Sequence, residues 1–316
     1  MQKTRVAVVG AGYLGKFHAQ KYARMPDAEL VGVVDIDEQL AKQIAAENQT
    51  EAFSDYRELF GKVDAASVVV PTPSHFRISR DLLKHKIDLM IEKPITASLS
   101  EADTLIALAK SQNRLIQVGH LERFNSAVVA LQDVIREPRF IESHRLSTYK
   151  PRATDVSVVL DLMIHDIDII LNLANSEVDH IHAAGIPVVS NHVDIANARL
   201  EFKTGCVANV TASRISTRNE RKMRLFQRDA YISIDFANHE ATIVRKDDKA
   251  NDQGLIPGLR IEKRVYDKGD ALDDELRAFV QAVQTREPPP VTGQMGRDAL
   301  NTALDVMSQI QKSDCD

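Results

Sequence analysis

Arg5-Val-Ala-Val-Val-Gly10-Ala-Gly12-Tyr13-Leu14-Gly15 decides how the chain begins: an apolar run, Val6 to Val9, followed at once by glycines spaced G-x-G-x-x-G. A short continuous apolar run is the pattern of a strand buried on both faces. Gly10 permits the tight turn that follows, Gly12 lets backbone N–H groups approach a pyrophosphate, and Gly15 lets the next helix, read from Lys16 to Met25, pack closely on the strand. The N-terminal end of that helix adds a favourable dipole for phosphate. Alone the motif is weak. It is strengthened by Asp35, about twenty residues beyond Gly15, at the end of the apolar run Leu30 to Val34, where a carboxylate can accept hydrogen bonds from the adenosine ribose. The same carboxylate repels a 2′-phosphate, and no arginine follows it in Asp35-Ile-Asp37-Glu38, so NAD is expected over NADP. Asp37 is the alternative contacting acid. Tyr13 and Leu14, inside the turn, join the expected cofactor-binding residues.

Working outward, the runs Ala66 to Val70, Leu89 to Ile91 and Leu115 to Val118 alternate with helical stretches. One of these, Ser98 to Lys110, opens with a capping-box pattern and carries Leu105, Leu108 and Ala109 at helical spacing. Buried strands separated by helices predict a doubly wound parallel sheet, so residues 1–120 read as an α/β Rossmann dinucleotide-binding domain. After Gly119 the pattern changes. Residues 125–136 and 156–174 read as helices, and 140–149, 193–202, 206–213, 222–228, 230–235 and 240–245 as strands joined by short turns. Residues 246–259 read as a surface loop, and 271–285 and 296–312 as closing helices around Pro288-Pro289-Pro290. Residues 121–316 are therefore expected to form a C-terminal α+β domain with a largely antiparallel open sheet.

Length and composition agree with this division. A chain of 316 residues is long for a single core. A formal charge of -5, with basic residues spread along the sequence, gives no basic stripe for nucleic acid. Cys206 and Cys315 form neither a disulfide framework nor a metal-ligand pattern. With neither a leader pattern nor an apolar membrane-length run, a cytoplasmic location without membrane partners is expected.

Ligands of doubly wound sheets bind beyond the carboxyl ends of the strands, so two further loops matter. Pro71-Thr72-Pro73-Ser74-His75 reads as an extended turn whose polar groups can wall the nicotinamide ribose; equally, it is a rigid turn with Ser74 capping a helix. Glu92-Lys93-Pro94 offers a lysine able to stabilise a developing alkoxide, or simply a surface ion pair between Glu92 and Lys93. Pro94 also permits a cis bond.

In the second domain Asp161, His165, Asp168 and Asn172 fall at i, i+4, i+7 and i+11 of an otherwise apolar helix, a stripe roughly 60° wide. Asp166 lies off it. Polar groups on a buried helix must face a polar cavity or an internal network. Asp161, one turn before His165, can orient the imidazole as a general base. A zinc site on this stripe is disfavoured, because Cys or a second His is missing, and no metal is expected.

Taken together and in this order, these features resemble the glucose-fructose oxidoreductase and inositol dehydrogenase family, over essentially the whole chain. Lys93 matches the lysine of the family's Glu-Lys-Pro motif, and Asp161 with His165 matches its Asp-x-x-x-His pair. The family's glycine-rich run before that Asp is replaced here by Ser157-Val-Val-Leu160. The resemblance implies a catalytic set of Lys93, Asp161 and His165 and NAD held by Gly10, Gly12, Tyr13, Leu14, Gly15, Asp35, Pro71, Thr72, His75, Glu92 and Lys93. It also implies a homo-oligomer, dimer or tetramer, built through the C-terminal sheet. Gly119-His120-Leu-Glu-Arg123-Phe-Asn125 and Leu160-Asp161-Leu-Met-Ile-His165 look like the branch whose members oxidise the 3-hydroxyl of UDP-N-acetylglucosamine. In that branch a PLP-dependent aminotransferase then makes a 3-amino sugar for lipid A. A UDP-sugar would meet Lys93, His120, Arg123, Asn125, Tyr149, Arg152, Asp161 and His165. Arg123, Lys150, Arg152 and Arg214 are the basic candidates for its diphosphate, Arg123 being equally an internal ion-pair partner. A dehydrogenase of a free sugar or inositol and a non-catalytic NAD-binding regulator are the alternatives.

Overall fold

The computed structural model describes residues 3–149, 156–247 and 258–313. Its strands are β1 (Thr4–Val9), β2 (Ala28–Val34), β3 (Glu51–Phe53), β4 (Ala65–Val68), β5 (Asp88–Glu92), β6 (Ile116–Gly119), β7 (Phe140–Leu146), β8 (Val178–Ile186), β9 (Ile195–Phe202), β10 (Val207–Ser213), β11 (Glu220–Phe226), β12 (Tyr231–Asp235), β13 (Glu240–Lys246) and β14 (Leu259–Val265). Its helices are α1 (Tyr13–Arg24), α2 (Glu38–Glu47), α3 (Thr72–Lys84), α4 (Leu99–Ser111), α5 (Ser126–Val129), α6 (Ile164–Ala174), α7 (Ala271–Thr285) and α8 (Gly293–Ser313). Two compact units emerge: residues 1–121 with 270–298, and residues 122–269 with 299–316.

In the first unit six parallel strands run in the order β3-β2-β1-β4-β5-β6. Val6, Ala7 and Val8 are fully buried, as the unbroken apolar run requires when helices cover both faces. The chain leaves β1 for β2 on one side and reaches β4 on the other, so the crevice past the ends of β1 and β4 is the topological switch point. Ser98 and Glu101 close the expected capping box at the start of α4.

Residues 270–298 join this unit, although a single division after residue 120 assigns them to the second domain. The reason is the apolar face of α7: Leu276, Phe279, Val280 and Val283, at i, i+3, i+4 and i+7, enter the core beside Val6, Val8 and Tyr22. Each such side chain contributes roughly 1.5–3 kcal/mol when fully buried. Arg286 then pairs with the buried Asp88 at the start of β5.

The second unit is an eight-stranded sheet, β14-β13-β12-β11-β7-β10-β9-β8, mixed but mostly antiparallel, since only β7 and β10 pair in parallel. Alternate residues, such as Ile141, Ser143 and Arg145 of β7, are buried, giving the period of two of a sheet covered on one face. Ile164, Ile167 and Ile170 of α6 and Ala299, Ala303, Val306 and Ile310 of α8 belong to the core on that face.

Three local expectations differ. The helix read at 125–136 is regular only over α5; beyond it Leu131, Gln132 and Val134 make tighter i→i−3 bonds, and the Gln227 side chain takes up Arg136 N–H and Val134 C=O. The strands β3, β8 and β14 have no counterpart among the runs read from the sequence. The first turn of the helix read at 156–174 is π-helical over Val159–Met163 before α6 begins.

Candidate active site

The turn after β1 has the geometry its glycines demand. Gly10 has φ +102°, and a Cβ there would stand 2.4 Å from the Val69 carbonyl oxygen. A Cβ on Gly15 would fall 1.8 Å from the Gly10 carbonyl oxygen, whereas one on Gly12 would meet only open space. Gly10 and Gly15 are thus required by the protein's own packing, while Gly12 leaves room for a ligand. Tyr13 and Leu14 open α1 and are exposed, and Tyr13 packs edge-on against Phe17.

Asp35 stands at the end of β2, with one carboxylate oxygen accepting from Ala11 N–H (2.7 Å) and the other from Asp37 N–H (2.9 Å). Asp37 instead caps α2 by accepting from Gln39 and Leu40 N–H. A groove of about 510 Å³ runs between Gly10, Gly12, Asp35, Pro71 and Ser74, with Tyr56, Arg57 and Arg77 among its other walls. An acid braced beside a glycine turn, a helix N-terminus and a groove of this size fit a dinucleotide.

The Pro71-to-His75 segment departs from its expected extended form: α3 starts at Thr72, so Pro73 occupies the first helical turn, where its missing N–H is no loss. Pro71 is exposed, Thr72 half-buried and His75 buried. The two His75 ring nitrogens lie 2.9 Å from the Pro94 carbonyl oxygen and 2.8 Å from that of Val70. Only an imidazolium donates to both at once; burial opposes that charge and holds the pKa of His75 below its usual value. In the tautomer with its proton on Nδ1, His75 ties the first turn of α3 to the Glu-Lys-Pro turn. In that turn the Lys93-Pro94 bond is cis and Lys93 is half-buried at the end of β5. The Glu92 carboxylate is 3.2 Å from Nε2 of His18, a fully buried histidine of α1 that the sequence reading passed over. A signal was present: His18 lies three residues after Gly15, on the face of α1 that carries Ala19 and Tyr22 into the core. His120, also in this unit, is buried just past β6.

In the second unit the polar stripe divides. Asp161, in the π-helical turn, and His165, in the first turn of α6, are half-buried. Asp168 is buried with its carboxylate 3.8 Å from Arg123, which also donates to the Asn172 amide oxygen at 2.8 Å. Arg123 therefore has an internal ion-pair role. Asn125 caps α5 through Ala127 N–H and donates to the Phe236 carbonyl. Arg214 donates to the Val156 carbonyl and lies 3.9 Å from Asp194. Tyr149 is half-exposed beyond β7, and Lys150 and Arg152 lie outside the described residues.

Asp166, set aside as off the stripe, is buried and makes two 2.9 Å bonds to the Arg145 guanidinium, which reaches Glu122 at 3.0 Å. Burial opposes the charge on Arg145, but Asp166 and Glu122 hold its pKa above the usual value. The pair anchors α6 to β7 one residue beyond His165.

Residues 4–120 match the oxidoreductase family with an NAD-binding Rossmann fold, and residues 115–233 match the GFO/IDH/MocA C-terminal domain. The chain is 37% identical to UDP-N-acetylglucosamine 3-dehydrogenase of Acidithiobacillus ferrooxidans over 97% of each chain. A solved structure of that enzyme superposes with a TM-score of 0.94, covering 99% of both. Myo-inositol 2-dehydrogenase of Thermotoga maritima is 25% identical over 94% of this chain and 93% of its own. The chain belongs to the GFO/IDH/MocA family of oxidoreductases, with an NAD-binding Rossmann domain at its N-terminal half. Among the described residues no helix is long and apolar enough to cross a membrane.

Proposed function

We propose that this protein oxidises the 3-hydroxyl of UDP-N-acetylglucosamine to the ketone. The observation that carries this reading is the 37% identity, over nearly the whole length, to an enzyme named for that reaction, in a chain that keeps Lys93, Asp161 and His165. When bound, NAD supplies the acceptor for the hydride that leaves C3. His165, oriented by Asp161, takes the hydroxyl proton as the C–O double bond forms, and Lys93 hydrogen-bonds the oxygen while negative charge develops on it. The balanced change is one hydride to NAD and one proton to His165, then solvent. The braced Asp35 carboxylate supports NAD over NADP, because a 2′-phosphate beside it meets like charge. His120, Tyr149 and Arg152 remain candidate sugar-nucleotide contacts. The open face of the C-terminal sheet is proposed as the surface of a cytoplasmic homo-oligomer. A PLP-dependent aminotransferase on the way to lipid A is the proposed consumer of the ketone.

A second reading, a dehydrogenase of a free sugar or inositol, is favoured by one observation: Arg123 and Arg214, two of the four proposed diphosphate ligands, are engaged with protein groups. Incubation with NAD and either UDP-N-acetylglucosamine, free N-acetylglucosamine or inositol, with borodeuteride trapping of the ketone, separates the readings. NADH formation and deuterium at C3 with the UDP-sugar alone is expected. Turnover of the free polyols alone would overturn the first reading.

A further inference from the structure

Lys93 stands between two residues that buried imidazoles hold from different helices. Before it, Glu92 meets His18 of α1 at 3.2 Å; after it, the Pro94 carbonyl meets His75 of α3 at 2.9 Å. His18 is fully buried and the Glu92 side chain is 13% exposed, so both sides of this contact lie largely out of water. The slot for the carboxylate is shaped for it. Gly119 of β6 pairs in register with Glu92, and a Cβ there would stand 3.0 Å from the carboxylate oxygens. The carboxylate also accepts from the Lys93 backbone N–H. Burial pushes the Glu92 pKa up, but His18, with the charge and N–H of Lys93, holds it below the usual range.

We propose that His18 is a positioning residue for Lys93: by binding the Glu92 carboxylate it fixes the turn from which the lysine projects, with His75 fixing the far side of the same turn. The motif reader sees G-x-G-x-x-G as a nucleotide site alone; in this chain the helix it starts also carries the brace for the Glu-Lys-Pro turn. The catalytic consequence rests on the reading that Lys93 hydrogen-bonds the reacting oxygen. The structural part does not.

The test compares His18→Leu with His18→Gln, whose amide N–H can still donate to Glu92. Amide exchange at Lys93, Ile95 and Thr96 in the NAD-free protein is expected to accelerate about tenfold or more in His18→Leu and to stay near wild type in His18→Gln. With saturating UDP-N-acetylglucosamine and NAD, kcat should fall about tenfold or more in His18→Leu, because small misplacements of a catalytic group act on kcat. His18→Gln should restore most of it. If His18→Leu does not fold, Gly119→Ala takes its place, since the added methyl displaces the carboxylate while His18 stays. Unchanged exchange in the folded variant, or equal loss of kcat in His18→Leu and His18→Gln, overturns the proposal. If the wild type does not oxidise UDP-N-acetylglucosamine, the functional reading fails and the exchange measurement alone decides whether His18 holds the turn.

Discussion

Asp166→Asn removes the charge from one side of a bidentate contact with Arg145 while preserving its shape. In the folded protein the two side chains are 4% and 2% exposed, so water cannot replace the lost partner. Asn keeps one acceptor oxygen but turns its NH2 toward the other guanidinium N–H, so one charge-assisted bond of about 1.5–3 kcal/mol is lost and the second weakened, and breaking one side of a buried pair typically costs about 3–5 kcal/mol. Glu122 still compensates Arg145 at 3.0 Å, which places the expectation at the lower end, about 3 kcal/mol. For a unit of this size that lowers the melting temperature by about 6–12 °C, measurable by calorimetry. Arg145→Met should cost a similar amount, because it strands Asp166. The double variant Arg145→Met/Asp166→Leu should recover most of the loss, since the desolvation of both charges disappears, and Glu122 keeps Arg221 at 3.4 Å. Turnover should not recover with it. A loss below about 1 kcal/mol in Asp166→Asn, or a coupling under about 0.5 kcal/mol in the cycle of Arg145→Met, Asp166→Leu and their double variant, would refute the reasoning.

Lys93→Ala and His165→Ala should each lower kcat by about 10²–10⁴ at saturating NAD, with NADH binding retained for His165→Ala in a fluorescence titration, as expected for groups acting on the proton and the oxygen. Asp35→Ser removes the brace on Ala11 and Asp37 together with the ribose acceptor; NAD affinity should fall about tenfold, and the NAD to NADP ratio of kcat/KM should shrink. Asp194 is buried and accepts from Val188, Val189 and Ser190 N–H and the Ser190 hydroxyl. Burial opposes its charge, but these donors hold its pKa below the usual carboxylate range. A depressed folded value gives stabilisation that is complete above the ordinary aspartate value of about 3.9 and is lost as pH falls below it. Urea midpoints measured from pH 6 downward should therefore drop less steeply in Asp194→Asn than in wild type, from a starting point about 2–4 kcal/mol lower.

The first unit was legible because its parallel strands, buried on both faces, leave continuous apolar runs, and because glycines mark the one turn where backbone must approach backbone. What stayed hidden there was long-range: α7 lies some 270 residues along the chain from β1, yet its leucine, phenylalanine and valines share a core with Val6 and Val8. In the second unit the strands with clean alternation were readable and the edge strands were not. β14 runs Leu-Arg-Ile-Glu-Lys-Arg-Val, with three charged residues in a row from Glu262, and β8 reads Val-Asp-His-Ile-His-Ala-Ala-Gly-Ile, with a register shift at its start. Edge strands carry charge and irregularity, which weakens the pattern that identifies them. At the site, residue types and spacing pointed to Gly10, Asp35, Lys93, Asp161 and His165. They could not indicate that Arg123 and Asn125 face protein partners, because a hydrogen-bond partner distant in sequence leaves no local trace.

On the proposed mechanism His165 and Asp166 are neighbours with opposite duties, and helical geometry makes that possible. Successive residues diverge by about 100°, so a carboxylate aimed at Arg145 on β7 sets the preceding imidazole about 100° from that contact. The apolar face of α6 does not fix this orientation by itself: Ile164, Ile167, Ile169 and Ile170 are nearly equivalent in shape, and a core of interchangeable isoleucines tolerates small rotations at little cost. A bidentate fork tolerates them poorly. Arg123 acts similarly further along the helix, holding Asp168 and Asn172 from the segment just after His120. On that reading the polar groups of this helix divide into those that set its rotation and those proposed to do chemistry, and the π-helical turn carrying Asp161 comes immediately before the part so fixed. Restoring stability with an apolar pair at positions 145 and 166 refills the core but leaves the rotation of α6 unspecified, which is why stability and turnover should separate in the double variant.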